Sequence, residues 1–600
     1  MPGRARHDGW EGIPPNPTTV TPAKAGSPAA ARCSRFAPTG NTRLGATVPH
    51  NRSVVLETVS IVLILLLAVV VSAAIARMLP VAVPAPLVQI ALGAVIGLGV
   101  HLKVELDPEL FLLLFLPPLL FLDGWRIPKD ELLKDLSTVA ELALGLVLLT
   151  VVGVGFFIHW LIPAMPLAVA FALAAVVSPT DPIAVSAIAS RVSIPKRMMH
   201  ILEGESLLND ASGLVCLRFA IAAALTGTFS PADAALNFLW VAIGGIAVGV
   251  GVTLAVTRAK AWVSNRFGEE TGSQILISLL IPFGSYLLAE HLHASGILAA
   301  VAAGVTMSFA EISRQALATT RMRRNSVWDT IQFAANGIIF VLLGEQLPDI
   351  WAKSVETVRV TGHAEPWWLG IYVLAITTGL ALLRFAWVWA SFKLTLFRRR
   401  KDGTATPKVA KRLLAAMSFA GVRGAITLAG VLTLPLTMND GTAFPARDLA
   451  IFLASGVIIV SLLAASIALP LLLRGLTMPP EPSKQVEEDR ARVASAKAAI
   501  RAVEREQHAL AEGRGDADVY ASAGTRIMAT YRERIERRTK QGEAAAKARR
   551  DSRIERDLRL AALKAERDEI FRIVRDREIG SETAKKLIRE VDLAEARYRG

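Results

Sequence analysis

Cysteine is almost missing from this chain: Cys33 and Cys216 are the only two in 600 residues. They lie in different segments, one in a polar leader and one in an apolar run, so no disulfide framework is implied. Aromatic residues make up only 6%. No GxxxxGK[ST] phosphate loop and no GxGxxG dinucleotide fingerprint occurs, which leaves nucleotide binding and ATP-driven work by this chain without support. Charge is also missing where it would be expected in a soluble protein. Residues 54–473 are long Leu, Val, Ala, Ile and Gly runs, and the charged residues collect in short intervals between them and in the last 126 residues.

What is present follows from that segregation. Apolar residues are 52% of the chain and the mean hydropathy is +0.44. The sequence divides into a polar leader over residues 1–52, a polytopic membrane domain over 53–474, and a charged helical tail over 475–600. The leader is rich in Pro, Thr, Ala and Arg, lacks apolar periodicity and reads as disordered. The first apolar run, 54–76, is too long for a signal-peptide core and stays in the membrane. Thirteen spans are predicted: 54–76, 81–99, 109–123, 136–158, 163–190, 202–227, 237–258, 272–290, 295–310, 330–347, 367–391, 411–434 and 449–473. The third and ninth are short for regular membrane-crossing helices.

The net charge of +14 admits a nucleic-acid reading, but the positions of the basic residues favour membrane orientation. With a cytoplasmic C-terminus, the inside loops carry 22 Lys and Arg and the outside loops four, the asymmetry expected of a correctly threaded map. The basic leader, which would face outward, runs against it. The tail interleaves acids and bases, as in Tyr531-Arg532-Glu533-Arg534-Ile535-Glu536-Arg537-Arg538, and has no stacking-aromatic pattern. It reads as solvated cytoplasmic helices and not as a nucleic-acid binder.

Two acids interrupt the apolar runs. A charge at the bilayer centre costs about 2.5–3.5 kcal/mol on insertion scales, so such residues mark ion or substrate paths. Asp181 lies in Ser178-Pro179-Thr180-Asp181-Pro182. Pro179 and Pro182 offer no N–H to the carbonyls of Ala175 and Ser178, so a helix through this point must open. Freed carbonyls and the Thr180 hydroxyl then become oxygen ligands beside the carboxylate, a transporter device. Asp210 lies in Glu203-Gly204-Glu205-Ser206-Leu207-Leu208-Asn209-Asp210. Ser206, Asp210 and Gly213 form one helical stripe and Glu205 and Asn209 the next. A helix cap would account for Glu203 and Glu205 but not for Asp210, about two turns in from the expected helix start. Arg384 and Arg423 also sit within apolar runs and need carboxylate or carbonyl partners, with Glu203 and Glu205 the leading candidates. Arg218 is read as snorkelling to the far interface, Glu290 and Glu345 as interfacial, and Asn336 as facing the core.

These motifs carry a resemblance. Pro117-Pro118-Leu119-Leu120-Phe121, the Asp-Pro and Asn-Asp segments, Ala289-Glu290 followed by Ser295-Gly296-Ile297-Leu298-Ala299, and Gly421-Val422-Arg423-Gly424 together resemble the bacterial sodium/proton exchangers of the cation:proton antiporter-1 (NhaP-like) family over residues 54–474. The resemblance implies an all-α fold of two inverted repeats, spans 1–6 and 8–13, with interrupted helices in spans five and twelve crossing each other. It implies that Asp210 alternately holds a proton and a monovalent cation, sodium or else potassium or lithium, with Thr180, Asp181 and Ser206 around the ion. Asn209 occupies the family's neutral partner position, which goes with electroneutral exchange. Glu203 and Glu205 would pair with Arg384 and Arg423. A homodimer in the bacterial inner membrane, no cofactor and no enzymatic activity follow from the same likeness. The alternative from the residues alone is a cation channel, or an ion or pH sensor coupled to the tail; a channel needs a continuous conduction path rather than obligatory exchange.

Overall fold

The computed structural model describes residues 50–79, 83–100, 108–127, 145–182, 185, 196–227, 231–310, 318–360, 365–401, 411–474, 482–512, 515–539 and 542–599. The leader reading, the start of span four and the end of span five fall outside these residues. The described elements are helices; the one pairing of extended backbone is an isolated bridge between Thr437 and Ala443. Contacts divide the chain into two units, one running to Leu472 and one from Leu473 onward.

The first unit contains α1 (His50–Met78), α2 (Ala85–Val100), α3 (Pro108–Arg126), α4 (Leu146–Leu161), α5 (Leu167–Val177), α6 (Lys196–Thr226), α7 (Pro231–Phe267), α8 (Thr271–His291), α9 (Gly296–Ala310), α10 (Ala318–Val360), α11 (Trp368–Lys401), α12 (Lys411–Phe419), α13 (Ala425–Leu432) and α14 (Arg447–Leu473). Seven are long and apolar enough to cross a membrane, and four shorter helices, among them α5 and α9, are apolar throughout. Many carry large apolar side chains outward, as Leu63 and Leu67 do on α1 at 61% and 62% exposure. In water that would be a severe cost; against lipid tails it is the expected surface.

Helices surrounded by lipid gain little from burying apolar area against one another, so close backbone contact decides how they pack. The α2/α10 crossing illustrates this. A side chain at Gly93 would strike the backbone of Val341, and one at Gly344 would strike Ile90. The α3/α9 crossing depends in the same way on Gly304, which lies against the Phe121 carbonyl. These crossings help sort the unit into groups: α3, α7, α8 and α9 pack together; α1, α2 and α10 pack together; and α4, α5 and α6 pack together, with α11 and α12 alongside. The short spans three and nine are single helices of 19 and 15 residues, with Pro117 and Pro118 inside the former.

Spans five and twelve depart from regular helix. The backbone leaves the helix after Val177, and residues 178–181 are non-helical. The twelfth span is two half-helices, α12 and α13, separated by residues 420–424, with Gly424 extended at φ −137°, ψ −152°.

The second unit holds α15 (Pro482–Ala511), α16 (Ala517–Thr539), α17 (Gly542–Arg575) and α18 (Ser581–Arg599). An Arg538–Asp489 ion pair at 2.8 Å ties α16 to α15. The α17/α18 hairpin closes on Ile570, Ala584 and Val591, flanked by Arg567–Asp592 at 2.7 Å.

Candidate functional site

The site is built where the two interrupted helices meet. The Asp181 N–H donates to the Val422 carbonyl at 2.7 Å. In return the Arg423 Nε donates to the Val177 carbonyl at 2.8 Å, and its Nη1 donates to Gly421 O. Helix C-termini end in unsatisfied carbonyls that carry partial negative charge, and N-termini carry partial positive charge. Arg423, 5% exposed, therefore rests on carbonyls from two half-helix C-terminal ends, those of α5 and α12. Asp181 lies at the opposite pole, against Gly424 at the N-terminus of α13: a Cβ on Gly424 would collide with the Asp181 carboxylate. Each side chain offsets the dipole ends it touches.

This corrects the pairing expected of Arg423. Its guanidinium bonds backbone carbonyls and neither Glu203 nor Glu205, because the interrupted helices bring acceptors to it that a regular helix would have used internally. Arg384 does pair as expected, with Glu205. Two parallel hydrogen bonds join them, Nη1 to Oε1 and Nη2 to Oε2, the latter at 2.9 Å, while Nε donates to the Met417 carbonyl at 3.2 Å. Both side chains are 2% exposed or less. Glu203 stands apart, 41% exposed, with His200 Nδ1 at 3.6 Å. The helix-cap reading of Glu203 and Glu205 also fails, since α6 begins at Lys196. That start places Asp210 about four turns into the helix rather than two.

α6 brings its polar stripe against the opening after α5. Asn209 Nδ2 donates to Thr180 Oγ1 at 2.9 Å, and Ser206 Oγ donates to Asp210 Oδ2 at 3.2 Å. Gly213 lets the two elements approach: a Cβ there would lie 2.6 Å from Pro179 Cγ and 3.0 Å from the Ala175 carbonyl oxygen. Thr180, Ser206, Asn209 and Asp210 are all buried. Two buried oxygens at this crossing, Ser178 Oγ and Asn209 Oδ1, have no hydrogen-bond partner among the described residues. Buried polar atoms are ordinarily satisfied, so orphans mark places for a water or an ion.

Thr180, Asp181, Ser206 and Asp210 line one cleft of about 400 Å³, measured to its open mouth. Asp123 from α3 and Asn336 from α10 line it as well. Asn336 faces the core as expected. Asp123 was not anticipated: it closes the apolar run Leu119–Leu122 and so looked like the end of span three. The signal available was an acid five residues beyond a Pro-Pro pair, in a helix that runs on to Arg126. Arg126 in turn holds α10, bonding Asp329 and, at 2.7 Å, Gln332 Oε1. Three further residues have surroundings that the sequence alone did not supply. Arg218 does not snorkel alone but pairs with Glu290 at 2.7 Å. Glu290 is thus a helix-to-helix contact, and Glu345 is buried at 8% exposure.

The arrangement offers carboxylate, hydroxyl, amide and backbone oxygens around one cleft. Hard-cation ligation and proton exchange are the chemistry those groups support.

Comparison with known proteins agrees with that chemistry. The family profile described as "Sodium/hydrogen exchanger, transmembrane" matches residues 62–475. The chain is 43% identical over 544 residues to an uncharacterized Na(+)/H(+) exchanger, YjcE, of Escherichia coli K12, covering 89% of this chain and 98% of that protein. It is 37% identical over 539 residues to the sodium, potassium, lithium and rubidium/H(+) antiporter of Bacillus subtilis, covering 88% and 76%. Among solved structures, the sodium proton antiporter MjNhaP1 of Methanocaldococcus jannaschii at pH 8 has a similar fold, with TM-score 0.53 at 19% identity, covering 70% of this chain and 99% of that one.

Proposed function

The chain belongs to the sodium/hydrogen exchanger family, and on that premise we propose that this multi-pass membrane protein exchanges a monovalent cation for protons at Asp210. The observation that carries the reading is a buried carboxylate on α6 facing the break between two stitched half-helices, inside a cleft lined by further oxygen donors. Asp210 gives up its proton to the cleft. A hydrated cation enters, sheds water for Thr180, Ser206 and the Asp210 and Asp181 carboxylates, and is carried across when α5 and α6 move against α3 and α10. On the far side a proton displaces it.

Competition for one carboxylate enforces exchange. With neither proton nor cation, the site would move a bare charge through apolar surroundings at about 2.5–3.5 kcal/mol. That is a suppression of roughly two orders of magnitude in the populated empty state. Asn209 adds no charge; it holds Thr180 in place. One titrating carboxylate serves one cation, so the exchange is electroneutral. Asp181 lies against the α13 N-terminus, and Asp123 lines the same cleft from α3. Glu205 with Arg384, and Arg423 on its carbonyls, hold the half-helices in register; Glu203 takes no part in that clamp.

The relatives' names span sodium, potassium, lithium and rubidium, and the open, mixed-ligand cleft supports a site that accepts more than sodium. The loop-charge asymmetry supports a cytoplasmic tail in a bacterial inner membrane, and the family likeness supports a homodimer. Inverted vesicles with an acid interior test the reading. Addition of Na+, K+ or Li+ outside them should discharge the proton gradient, with the rate saturating in cation. A flux that does not saturate and ignores the opposing proton gradient would mean a channel instead.

A further inference from the structure

The described α6 residues that line the cleft lie at Asp210 and to its N-terminal side. They are Ser206 and Asp210, and none of the α6 residues beyond Asp210 line the cleft. On that far side Leu214 and Leu217 are buried at 3% and 2% exposure, within van der Waals reach of α13 at Gly430. Farther still, the Arg218 Nη2 donates to Glu290 Oε1 at 2.7 Å. Eight residues separate Arg218 from Asp210, a rise of about 12 Å along the helix. The ion pair therefore lies beyond Asp210 along α6, on the far side of it from the cleft-lining Ser206.

The pair also bridges the two bodies that must part. Of the residues lining the cleft, Asp123 and Asn336 come from α3 and α10, whereas Thr180, Asp181, Ser206 and Asp210 come from α6 and the break after α5. Glu290 ends α8, which packs with α3, α7 and α9, whereas α6 packs mainly with α5. Arg218–Glu290 crosses that same boundary. The acceptor is itself positioned: the Gly296 N–H, at the start of α9, donates to Glu290 Oε1 at 3.0 Å. A Cβ on Gly296 would lie 2.8 Å from that oxygen and 2.7 Å from the Tyr286 ring, so glycine is required for the carboxylate to settle there. The α8–α9 corner thus presents Glu290 in a fixed place, and Arg218 reaches across to it.

We infer that Arg218 and Glu290 form a latch that holds the exchange site shut on the side away from the cleft and must break each time the site opens there. The inference rests on the exchange reading above. In the proposed topology the latched side is the outer one. The latch makes these two positioning residues: they touch neither cation nor proton, and they set how the site divides its time between the two sides. An ion pair made in only one of two states biases the equilibrium by its differential strength and by nothing else.

Two experiments on the full chain test it. In the first, Cys33→Ser and Cys216→Ser remove the native thiols, and Arg218→Cys with Glu290→Cys is cross-linked by a reversible bis-methanethiosulfonate. Cross-linking should lower cation-driven proton flux in vesicles at least tenfold, and reductant should restore it in the same sample. A cross-linked protein that exchanges at its uncross-linked rate overturns the latch. In the second, Arg218→Gln is compared with wild type in right-side-out and inverted vesicles. The ratio of outer to inner half-saturation concentrations for Na+ reports the balance of the two states and should fall by about three- to tenfold. The charge swap R218E/E290R should return it toward wild type. A slower protein with an unchanged ratio would mean a purely structural pair and overturns the proposal. Wild type that exchanges no monovalent cation in either orientation would sink the exchange reading itself, and the latch with it.

Discussion

Glu205→Gln isolates the clamp between α6 and α11. The substitution keeps shape and volume but removes the charge that neutralises Arg384, in a pair whose side chains are 2% exposed or less. Removing one partner of a buried pair costs about 3–5 kcal/mol, because the other charge stays buried without compensation. Domains are commonly stable by only about 5–15 kcal/mol, so a large part of the reserve goes. Arg384 keeps its bond to the Met417 carbonyl, which places the loss toward the lower end, about 3 kcal/mol. Arg384→Met in the Glu205→Gln background removes the orphaned cation, and well-packed apolar or neutral replacements of buried pairs are often close to neutral. The assay is thermal unfolding of detergent-purified protein for wild type, both singles and the double. The expected order is wild type first, the double close behind, and Glu205→Gln well below. If Glu205→Gln melts within a degree of wild type, or the double loses the sum of the singles, the pair is not the isolated buried clamp described.

Other outcomes follow from the same geometry. Gly424→Ala drives a methyl into the Asp181 carboxylate, and overpacking of this kind costs about 1–3 kcal/mol; exchange in vesicles should fall at least tenfold while Gly430→Ala, whose nearest neighbour is a flexible leucine, keeps most of it. Asn209→Asp adds a carboxylate next to Asp210 on α6, and proton flux should become sensitive to an imposed membrane potential; flux that stays indifferent to potential would argue against the one-carboxylate stoichiometry. In the tail, Arg537 beside Glu555 holds that carboxyl below its usual 4.5, as Arg572 does for Glu569. A depressed folded value stabilises the fold above the unfolded value and is lost as pH falls through the folded one. Protection factors for amide exchange over residues 482–599 of the full chain, taken relative to the intrinsic rate at each pH, should therefore fall below about pH 4, and protection that is flat from pH 7 to 3 would contradict these pairings.

Much of the site was legible because its chemistry conflicts with its surroundings. Asp181 between two prolines and Asp210 on a long apolar helix are anomalies that a hydropathy reading cannot absorb, and both line the cleft. Gly213 falls on the Asp210 stripe as the helical spacing requires, and there it lets α6 approach the break. What failed was partner choice. Arg423 could be matched to a carboxylate on paper, but the open ends of α5 and α12 supply carbonyls that only the crossing reveals. Asp123 was lost because helix boundaries are blurred by a few residues, and an acid at an assumed boundary attracts no notice. Arg218 and Glu290 are 72 residues apart, and no periodicity links them. Length and apolarity identify seven described helices as membrane-crossing, fewer than the thirteen stretches read from hydropathy, since interrupted and short spans fail a length criterion.

The central claim is that Asp210 is the carboxylate for which proton and cation compete. Purified wild type and Asp210→Asn, reconstituted at equal density into liposomes with a preformed pH gradient, test it directly. Wild type should release the gradient on addition of Na+, K+ or Li+ with saturating kinetics, and Asp210→Asn should leave it intact with all three while eluting and melting as a folded protein. An Asp210→Asn protein that exchanges any of these cations at the wild-type rate would contradict the account.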